Sequence, residues 1–573
     1  MSGPRLPLAG VLRLDRPSDI WFKPALSVVA AVAPPNLLLL ALGRLDLAMY
    51  TMAGSLCALY AHNRPYAARA GVLARVVLGM TAGLAVALVA ASLTTNAVVL
   101  VTVGALLAAA QKALCDATRI GPPANVVLTF ITSASLFVPQ TLGQVPGHLA
   151  LALAAGAWAW IVGMAPGLAR PHGPERRATA HALTLAAGHA EQARSRTADG
   201  PRARAAAAAG VHAARQTLLS VRGDDTRLAL ERLVVRAEAA LAGPADADPA
   251  RLRAWARDLR GTGPLPRPDG LADGDRAAGA LRAGDRAAGH RVGGDRPDDD
   301  ELLGAEADRA AGQPPLWHRL GPLDPVAVRT ALGCALAGYA SLALGVGRPY
   351  WAVVTAASLY QANVTLTWNR AVQRVVGNLA GVLAFAALVP LVHVHRAALV
   401  LVCLALNFGA EALISRNYWL GSVCVTPMAL LITEFAQYQD SGRLITERVV
   451  DTLVGAAVGF VAAVAVTNRR AGDRLGHALT AVEGARDRAA HLLTEPRPAP
   501  TALVSARRGL AAALVDLRTT ADAASGEWWQ RALPEERVVT AERSAHRTLA
   551  ATVRRQGLHP ARNTHARAED VRR

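Results

Sequence analysis

The residues best suited to chemistry are polar side chains within a run that is otherwise apolar, at 349–363. Thr355, Ser358 and Gln361 recur every three residues, so a helix would carry them on one face. In hydrocarbon such a face must meet other protein or water. The pattern predicts either the polar lining of a translocation path or hydrogen bonds to a neighbouring helix, and both interpretations stay open.

Two arginines follow this run. Arg370 and Arg374 are four residues apart, and arginine offers a permanent charge with a fork of donors that matches a carboxylate. They are candidates for gathering anionic substrates at the inner mouth of a path; the alternative is that they only mark the cytoplasmic side. Tyr350 and Trp351 lie at the start of the run and are typical of an aromatic belt at the outer membrane interface.

Motifs for enzymatic chemistry are not found in the sequence. Its two lysines, Lys23 and Lys112, do not belong to the Gly-Lys-Ser/Thr motif of a P-loop, and neither His-Glu-x-x-His nor Gly-x-Ser-x-Gly occurs. The five cysteines form no Cys-x-x-Cys pair, which predicts isolated thiols and not disulfides or metal ligands. We therefore expect no enzyme activity, no catalytic residues, no cofactor and no metal.

Two long apolar blocks must position the candidate residues. The chain is 52% hydrophobic and 18% charged, whereas about a quarter of the residues in a soluble protein are charged. Because a spanning helix needs about twenty apolar residues, each block accommodates six spans. Those of the block at 24–166 are 24–42, 45–61, 72–93, 95–111, 122–140 and 147–166; those of the block at 325–466 are 325–345, 349–363, 372–391, 396–411, 417–435 and 447–466.

The two blocks resemble each other. Each has a Leu-Tyr pair and then an arginine just before a helix that opens with Gly-x-x-x-Gly; the glycines are Gly79, Gly83, Gly377 and Gly381. This spacing predicts close helix packing at all four glycines. Since six spans return the chain to its starting side, the repeats would be parallel. The predicted fold class is an all-α membrane protein with two six-helix transmembrane blocks in parallel repeat.

The charged residues lie between and after the blocks. Residues 167–260 and 467–573 are rich in Arg and Ala and predict two helical domains, whereas 261–324 contains Gly-Asp-Arg repeats and predicts a disordered linker. Residues 1–23 lack the apolar core of a signal peptide. Basic residues in the short connections of the first block place this N-terminus and both helical domains in the cytoplasm.

The formal charge is +18. An excess of basic residues can indicate nucleic-acid binding. In a membrane protein it is explained by the positive-inside bias and by contact with anionic lipid. We therefore expect membrane lipid and a small organic anion as partners, and no nucleic acid. Homo-oligomerisation is left open.

The second block carries a family resemblance. Its Pro349-Tyr350-Trp351-Ala-x-x-Thr355 run and its Arg370-x-x-x-Arg374-x-x-Gly377-x-x-x-Gly381 run resemble the fusaric-acid-resistance and aromatic-acid exporter superfamily of membrane transporters. The resemblance implies two six-span blocks, each followed by a cytoplasmic helical domain, and export of aromatic or other small organic acids across the bacterial plasma membrane, driven by the proton gradient. The family often has Thr where this chain has Asn378.

A second hypothesis comes from a different functional class. The chain would be a membrane scaffold or regulator that acts through its Arg-rich cytoplasmic domains. Removal of residues 467–573 separates the two hypotheses, since a scaffold would lose its function and a transporter would keep part of its flux.

Overall fold

The chain is all-helical where its structure is described. A computed structural model describes residues 8, 10–14, 20–195, 200–220, 225–245, 247–266, 324–435, 438–466, 471–527 and 534–555, and these contain helices and connecting segments but no strand. The all-α prediction is thus confirmed for this part of the chain. Of the predicted linker at 261–324, residues 267–323 lie outside the described residues, and Asp324 already begins a helix.

We call the helices within 22–164 the first set. They are α1 (Phe22–Ala41), α2 (Ala48–Ser55), α3 (Tyr66–Leu93), α4 (Ala97–Ala117), α5 (Val126–Ser135) and α6 (Val145–Met164). Single 3-10 turns at Leu45–Leu47 and Leu56–Leu59 flank α2, and another at Leu142–Gln144 precedes α6. The short α7 (Pro166–Ala169) leads out of the set.

We call the helices within 324–465 the second set. They are α12 (Asp324–Ala343), α13 (Tyr350–Leu359), α14 (Val364–Val392), α15 (Arg396–Ile414), α16 (Tyr418–Thr433) and α17 (Ser441–Ala465). Side chains of Asn363, His395, Asn417 and Asp440 accept hydrogen bonds from the first backbone N–H groups of α14 to α17. Such caps matter in an apolar surrounding, where free N–H groups are costly.

Eight of these helices are long and apolar enough to cross a membrane. A helix lies in each of the twelve predicted segments, but α2, α5, α13 and α16 are shorter than a full span. At 1.5 Å per residue, the ten residues of α13 cover about half of the hydrocarbon core. The chain is a multi-pass membrane protein, and eight of the twelve candidate spans have helices of full length. Apolar composition alone does not reveal that the helices at the other four positions are shorter.

The two sets use similar helix neighbours. In each set the short helices occupy the second and fifth positions, the sixth helix packs on the second and third, and the third packs on the fifth. Between the sets, α1 packs against α15 and α12 packs against α4, so the first helix of each set contacts the fourth helix of the other.

Two polar helical extensions follow the sets at one end of the bundle. The first extension comprises α8 (Gly173–Ser195), α9 (Gly200–Leu219), α10 (Asp225–Ala242) and α11 (Pro249–Arg260); the C-terminal extension comprises α18 (Ala471–Thr494), α19 (Pro500–Ser525) and α20 (Glu535–Arg555). Each has its own apolar core. They meet at Glu238, whose Oε2 lies 2.6 Å from Nη2 of Arg215 and 3.6 Å from Nη2 of Arg507.

Candidate functional site

Helix α13 forms the frame of the candidate site, because all ten of its residues are buried. Glycines of α17 allow this burial: a Cβ at Gly455 would lie 2.7 Å from the Ala352 carbonyl oxygen, and one at Gly459 would lie 3.1 Å from Cα of Ala356. The Thr355 and Ser358 side chains are buried, and the Ser358 hydroxyl donates to the Thr355 carbonyl at 2.8 Å.

Gln361 does not share this face. Helix α13 ends at Leu359, and the Gln361 amide donates to the Tyr360 carbonyl at 3.2 Å in the connection to α14. The predicted polar stripe was therefore one residue too long, since spacing alone does not show where a helix stops.

Tyr350 and Trp351 lie inside the protein, and the predicted aromatic belt is wrong. Both are buried; Tyr350 stacks on Phe137 with ring centroids 5.8 Å apart, and Trp351 stacks on Phe130 at 5.6 Å. Both partners belong to the region of α5, so these rings join the two sets. Aromatic pairs of this kind add to the apolar burial.

Tyr418 brings the two predicted arginines together near the extension end of the second set. Arg374 Nη1 donates to the Tyr418 hydroxyl at 2.9 Å, and the Arg370 guanidinium carbon lies 3.3 Å from the ring centroid. The Ser358 hydroxyl also neighbours the Tyr418 side chain. The structure thus unites three of the predicted site residues, Ser358, Arg370 and Arg374, around a tyrosine.

Asn378 continues the polar contacts toward the other end. Its amide oxygen accepts from Thr426 at 2.6 Å, and its amide nitrogen donates to Thr452 at 3.0 Å, so the side chain links α14, α16 and α17. All three residues are buried. The position at which this chain departs from the family pattern therefore holds three helices together.

Arg448 and Asp451 complete the polar contacts on α17. Arg448 is 1% exposed, and its guanidinium carbon lies 4.0 Å above the Trp351 ring. Asp451 is 0% exposed and accepts a hydrogen bond of 2.5 Å from Ser341. The charges of Arg374 and Asp451 both act on Arg448. We call the polar residues from Tyr418 to Asp451 the polar line; they are Ser358, Arg374, Tyr418, Asn378, Thr426, Thr452, Arg448 and Asp451. All of them are buried except Tyr418, which is partly exposed.

Several atoms of the polar line have no hydrogen-bond partner. They are Nε of Arg374, Nε and Nη1 of Arg448, and Oδ2 of Asp451, together with Oγ1 of the adjacent Thr355. Such atoms are costly to bury. An arginine stacked on a ring uses the face of its guanidinium, and its N–H groups in the plane stay available for a planar anion. The arrangement can bind a carboxylate.

Ion pairs lie beyond the polar line at the end away from the extensions. Glu447 accepts from Arg348 and, at 2.8 Å, from Arg443. Close by, His393 Nε2 lies 3.2 Å from Oε2 of the buried Glu434. With the polar line and these ion pairs, polar side chains extend from one end of the second set to the other.

The extension end of the second set is covered by an N-terminal strap, residues 10–14. Gln373 donates to the Val11 carbonyl at 2.9 Å, and Asn417 donates to the carbonyls of Val11 at 3.2 Å and Arg13 at 2.9 Å. The indole of Trp419 donates to the Leu12 carbonyl at 3.3 Å. These three side chains neighbour Arg374 and Tyr418 in sequence, so the strap lies beside the polar line.

Three of the four predicted packing glycines lie in close helix contacts. A Cβ at Gly377 would lie 2.6 Å from Cβ of Ser422, one at Gly381 would lie 2.7 Å from Cβ of Thr426, and one at Gly83 would lie 2.9 Å from the Gln111 amide. The prediction for Gly79 is wrong for the single chain, since a Cβ there would meet no atom within 4 Å. Four residues advance a helix by about 40° beyond a full turn, which places Gly79 outside the buried stripe of α3.

The first set has a different polar centre. Gln111 accepts from Thr129 at 2.9 Å and donates to Thr132 at 3.3 Å, and Asn125 donates to Thr129 at 3.3 Å. These residues carry no charge. The arginine-containing line is therefore a feature of the second set, not of both.

Sequence reasoning missed Tyr418, Ser341, Arg448 and Asp451. A signal for the last two was available: they are ionisable residues three apart within an apolar run, on one face of a helix. Nothing in the sequence indicates Ser341 as the partner of Asp451, because the two are 110 residues apart.

Comparison with known proteins agrees with this location. Residues 335–462 match the family described as fusaric acid resistance protein-like. The resemblance seen in the sequence is thereby confirmed for the segment that contains the polar line, and it indicates a membrane transporter. The chain is also 32% identical over 138 residues to the uncharacterized membrane protein YvaC of Bacillus subtilis (strain 168). That alignment spans 24% of this chain and 22% of the relative, and no solved structure matches the chain.

Proposed function

We propose that the chain is a secondary exporter of aromatic or other small organic acids in the bacterial plasma membrane. The observation that carries this proposal is the polar line, along which the guanidinium groups of Arg374 and Arg448 keep free donors in the membrane part. Arg370 adds a third positive charge at the extension end, and Asp451 is the carboxylate of the line. An ionisable residue within a membrane protein commonly marks a substrate path.

We also propose that the two sets are parallel six-helix repeats, the blocks at 24–166 and 325–466. The matching positions of the short helices and the reciprocal packing of first on fourth helices support this arrangement. The N-terminus and the extensions, within the predicted domains at 167–260 and 467–573, would lie in the cytoplasm. Basic residues at that end of the first set, such as Lys23 and Arg69, follow the positive-inside bias.

In this mechanism an organic anion enters from the extension end and meets Arg370 and Arg374. Tyr418 holds both arginines in place, one by a hydrogen bond and one by stacking. The carboxylate then passes to Arg448, whose free N–H groups at Nε and Nη1 can donate to it. The aromatic wall formed by Trp351 and Phe130 suits a substrate with an apolar ring.

Transport into inverted membrane vesicles tests the proposal. A pH gradient is imposed on vesicles that contain the full chain in one experiment, and a membrane potential in another. Uptake of radiolabelled aromatic carboxylates is measured in each. Arg374→Gln and Arg448→Gln should each lower the flux at least about tenfold, since each removes a charge-assisted contact. Arg396→Gln is the matched control, because Arg396 is exposed at the start of α15 and outside the polar line. If well-inserted wild-type protein shows no gradient-dependent uptake of any acid in a broad panel, the export proposal is refuted.

The scaffold hypothesis also has a structural observation in its favour. The end of α19 contacts the second set: the Thr365 backbone N–H and hydroxyl donate to the Gly526 carbonyl at 3.1 and 3.0 Å, and the Asn363 amide donates to the Asp522 carbonyl at 3.4 Å. A partner bound to the C-terminal extension could thereby sense the membrane part. If Arg374→Gln leaves the cellular function intact while removal of 467–573 abolishes it, the scaffold replaces the exporter.

A further inference from the structure

A cluster of cations lies at the extension end of the first set, away from the polar line. Lys23 is on α1, Arg69 on α3, Arg170 follows α7, and Arg177 is on α8. The positive charges of Arg177, Arg170 and Arg69 all act on the Lys23 ammonium group. Among the described residues, Glu175 is the carboxylate whose charge reaches the cluster, through Arg177. Four cations thus converge with one nearby carboxylate, and an anion would relieve their mutual repulsion.

Arg69 makes this cluster more than a charged surface. It is 4% exposed, its Nη2 lies 3.2 Å from Nδ1 of His62, and its Nε has no hydrogen-bond partner. Burial, followed by the charge of Arg69, lowers the pKa of His62 to about 3, so this ring is neutral and accepts the hydrogen bond. A buried guanidinium with a free donor beside other cations is costly, and a bound anion would offset that cost.

Apolar side chains next to the cluster identify the kind of anion. Leu168, two residues before Arg170, is 93% exposed, and Trp21 and Phe22 beside Lys23 are 38% and 40% exposed. Tryptophan and basic residues together are typical of the membrane interface, where tails and headgroups meet. A free phosphate ion would use the cations alone, whereas a phospholipid also covers the apolar side chains.

We propose that this cluster binds the phosphate group of an anionic phospholipid. Lys23, Arg170 and Arg177 hold the headgroup, and Arg69 supplies the buried donor beneath it. The acyl chains lie along Phe22 and Leu168. Because the cations come from α1, α3 and α8, the lipid joins the first set to the first extension.

Lipid binding to the purified full chain tests this proposal. The chain is placed in detergent, and retention of phosphatidylglycerol or phosphatidylcholine is measured by native mass spectrometry and by the shift in melting temperature. The cluster variant combines Lys23→Gln, Arg170→Gln and Arg177→Gln. The charge-matched control combines Arg75→Gln, Arg119→Gln and Arg416→Gln, three exposed arginines outside the cluster.

Wild-type protein and the control should retain phosphatidylglycerol in preference to phosphatidylcholine. The cluster variant should lose about a hundredfold in apparent affinity for phosphatidylglycerol, since each basic residue at a membrane surface contributes about fivefold. Equal losses in the cluster variant and the control would overturn the proposal. So would full displacement of the lipid by millimolar inorganic phosphate, which would assign the cluster to a free ion.

A conservative variant guards against misfolding. Arg170→Lys with Arg177→Lys keeps both charges and should keep most of the preference for phosphatidylglycerol. If this variant loses the preference as fully as the glutamine variant does, position-specific packing and not headgroup charge explains the effect, and the lipid site is refuted.

Discussion

Acidification should loosen the contact between the two extensions, and two histidines set the size of the effect. His189 on α8 is 1% exposed, and neither of its ring nitrogens has a hydrogen-bond partner. Burial, followed by the charge of Arg204, lowers its pKa to about 4. Burial, followed by the charges of Arg204 and His189, likewise lowers the pKa of His546 on α20 to about 4. Both rings are neutral at neutral pH, and protonation would place two more positive charges beside Arg204.

The sign and size of the effect follow from linkage. Because the pKa of each histidine is lower in the folded chain than the ordinary value of 6.5, stability is complete above that value and is lost as the pH falls toward about 4. At about pH 5 each ring would cost about 2 kcal/mol. Part of the pKa shift of His546 comes from the charge of His189, so the two costs are not fully additive. About 4 kcal/mol is therefore the upper limit for the pair at this pH.

Hydrogen exchange of the amides in α8 and α20 measures this loss, after correction for the intrinsic exchange rates at each pH. Protection in both helices should fall between pH 7 and 5 in wild-type protein. The double variant His189→Leu and His546→Leu should lose most of this pH dependence, whereas His477→Leu, an exposed position on α18, should keep it. If the double variant loses protection as steeply as wild-type protein, the buried histidines are not the cause.

Substitutions at three other contacts make further tests. Gly381→Ala should lower the free energy of unfolding by about 1–3 kcal/mol, because its Cβ would lie 2.7 Å from Cβ of Thr426, whereas Gly79→Ala should raise it by up to about 1 kcal/mol; equal melting temperatures for both variants would contradict the packing. Glu238→Ala removes the carboxylate that faces Arg215 and Arg507 and should weaken the junction of the extensions by about 3 kcal/mol, measured by urea-dependent proteolysis, with the partly exposed Glu495→Ala as a control. Asn417→Asp keeps the acceptor that caps α16 but loses the amide donors to the strap, so trypsin should cleave after Arg13 faster; an unchanged rate would argue against these hydrogen bonds.

Much of the layout could be predicted because apolar runs report burial in lipid directly. The helix boundaries were harder. The sequence predicts a span from residue 372, but α14 begins at Val364, since Asn363 caps it and the end of α19 packs against its first turn. Similarly, α17 begins at Ser441, six residues before the predicted span, behind the cap of Asp440. In both places the added turns are polar, so hydropathy excludes them although hydrogen bonds make them helical.

The candidate site was predicted in part for a related reason. Arg370 and Arg374 are visible in the sequence because they interrupt an apolar pattern and match a family motif. Arg448 and Asp451 lie close to the expected end of a span, where charged residues are common and therefore do not indicate a functional site. Their burial results from packing against Trp351 and Ser341, and only the tertiary structure reveals such distant pairs.

The strap has a consequence for the biosynthesis of the chain. Arg13 and Asn417, which it joins, are 404 residues apart. At about 5–20 residues per second, synthesis takes about 20–80 s to reach Asn417 after the strap has left the ribosome. Helix α1 packs on α15, which is synthesised after a delay nearly as long. The first set must therefore insert and persist without the second, and the last contacts to form are those that connect the beginning of the chain to the region around Tyr418.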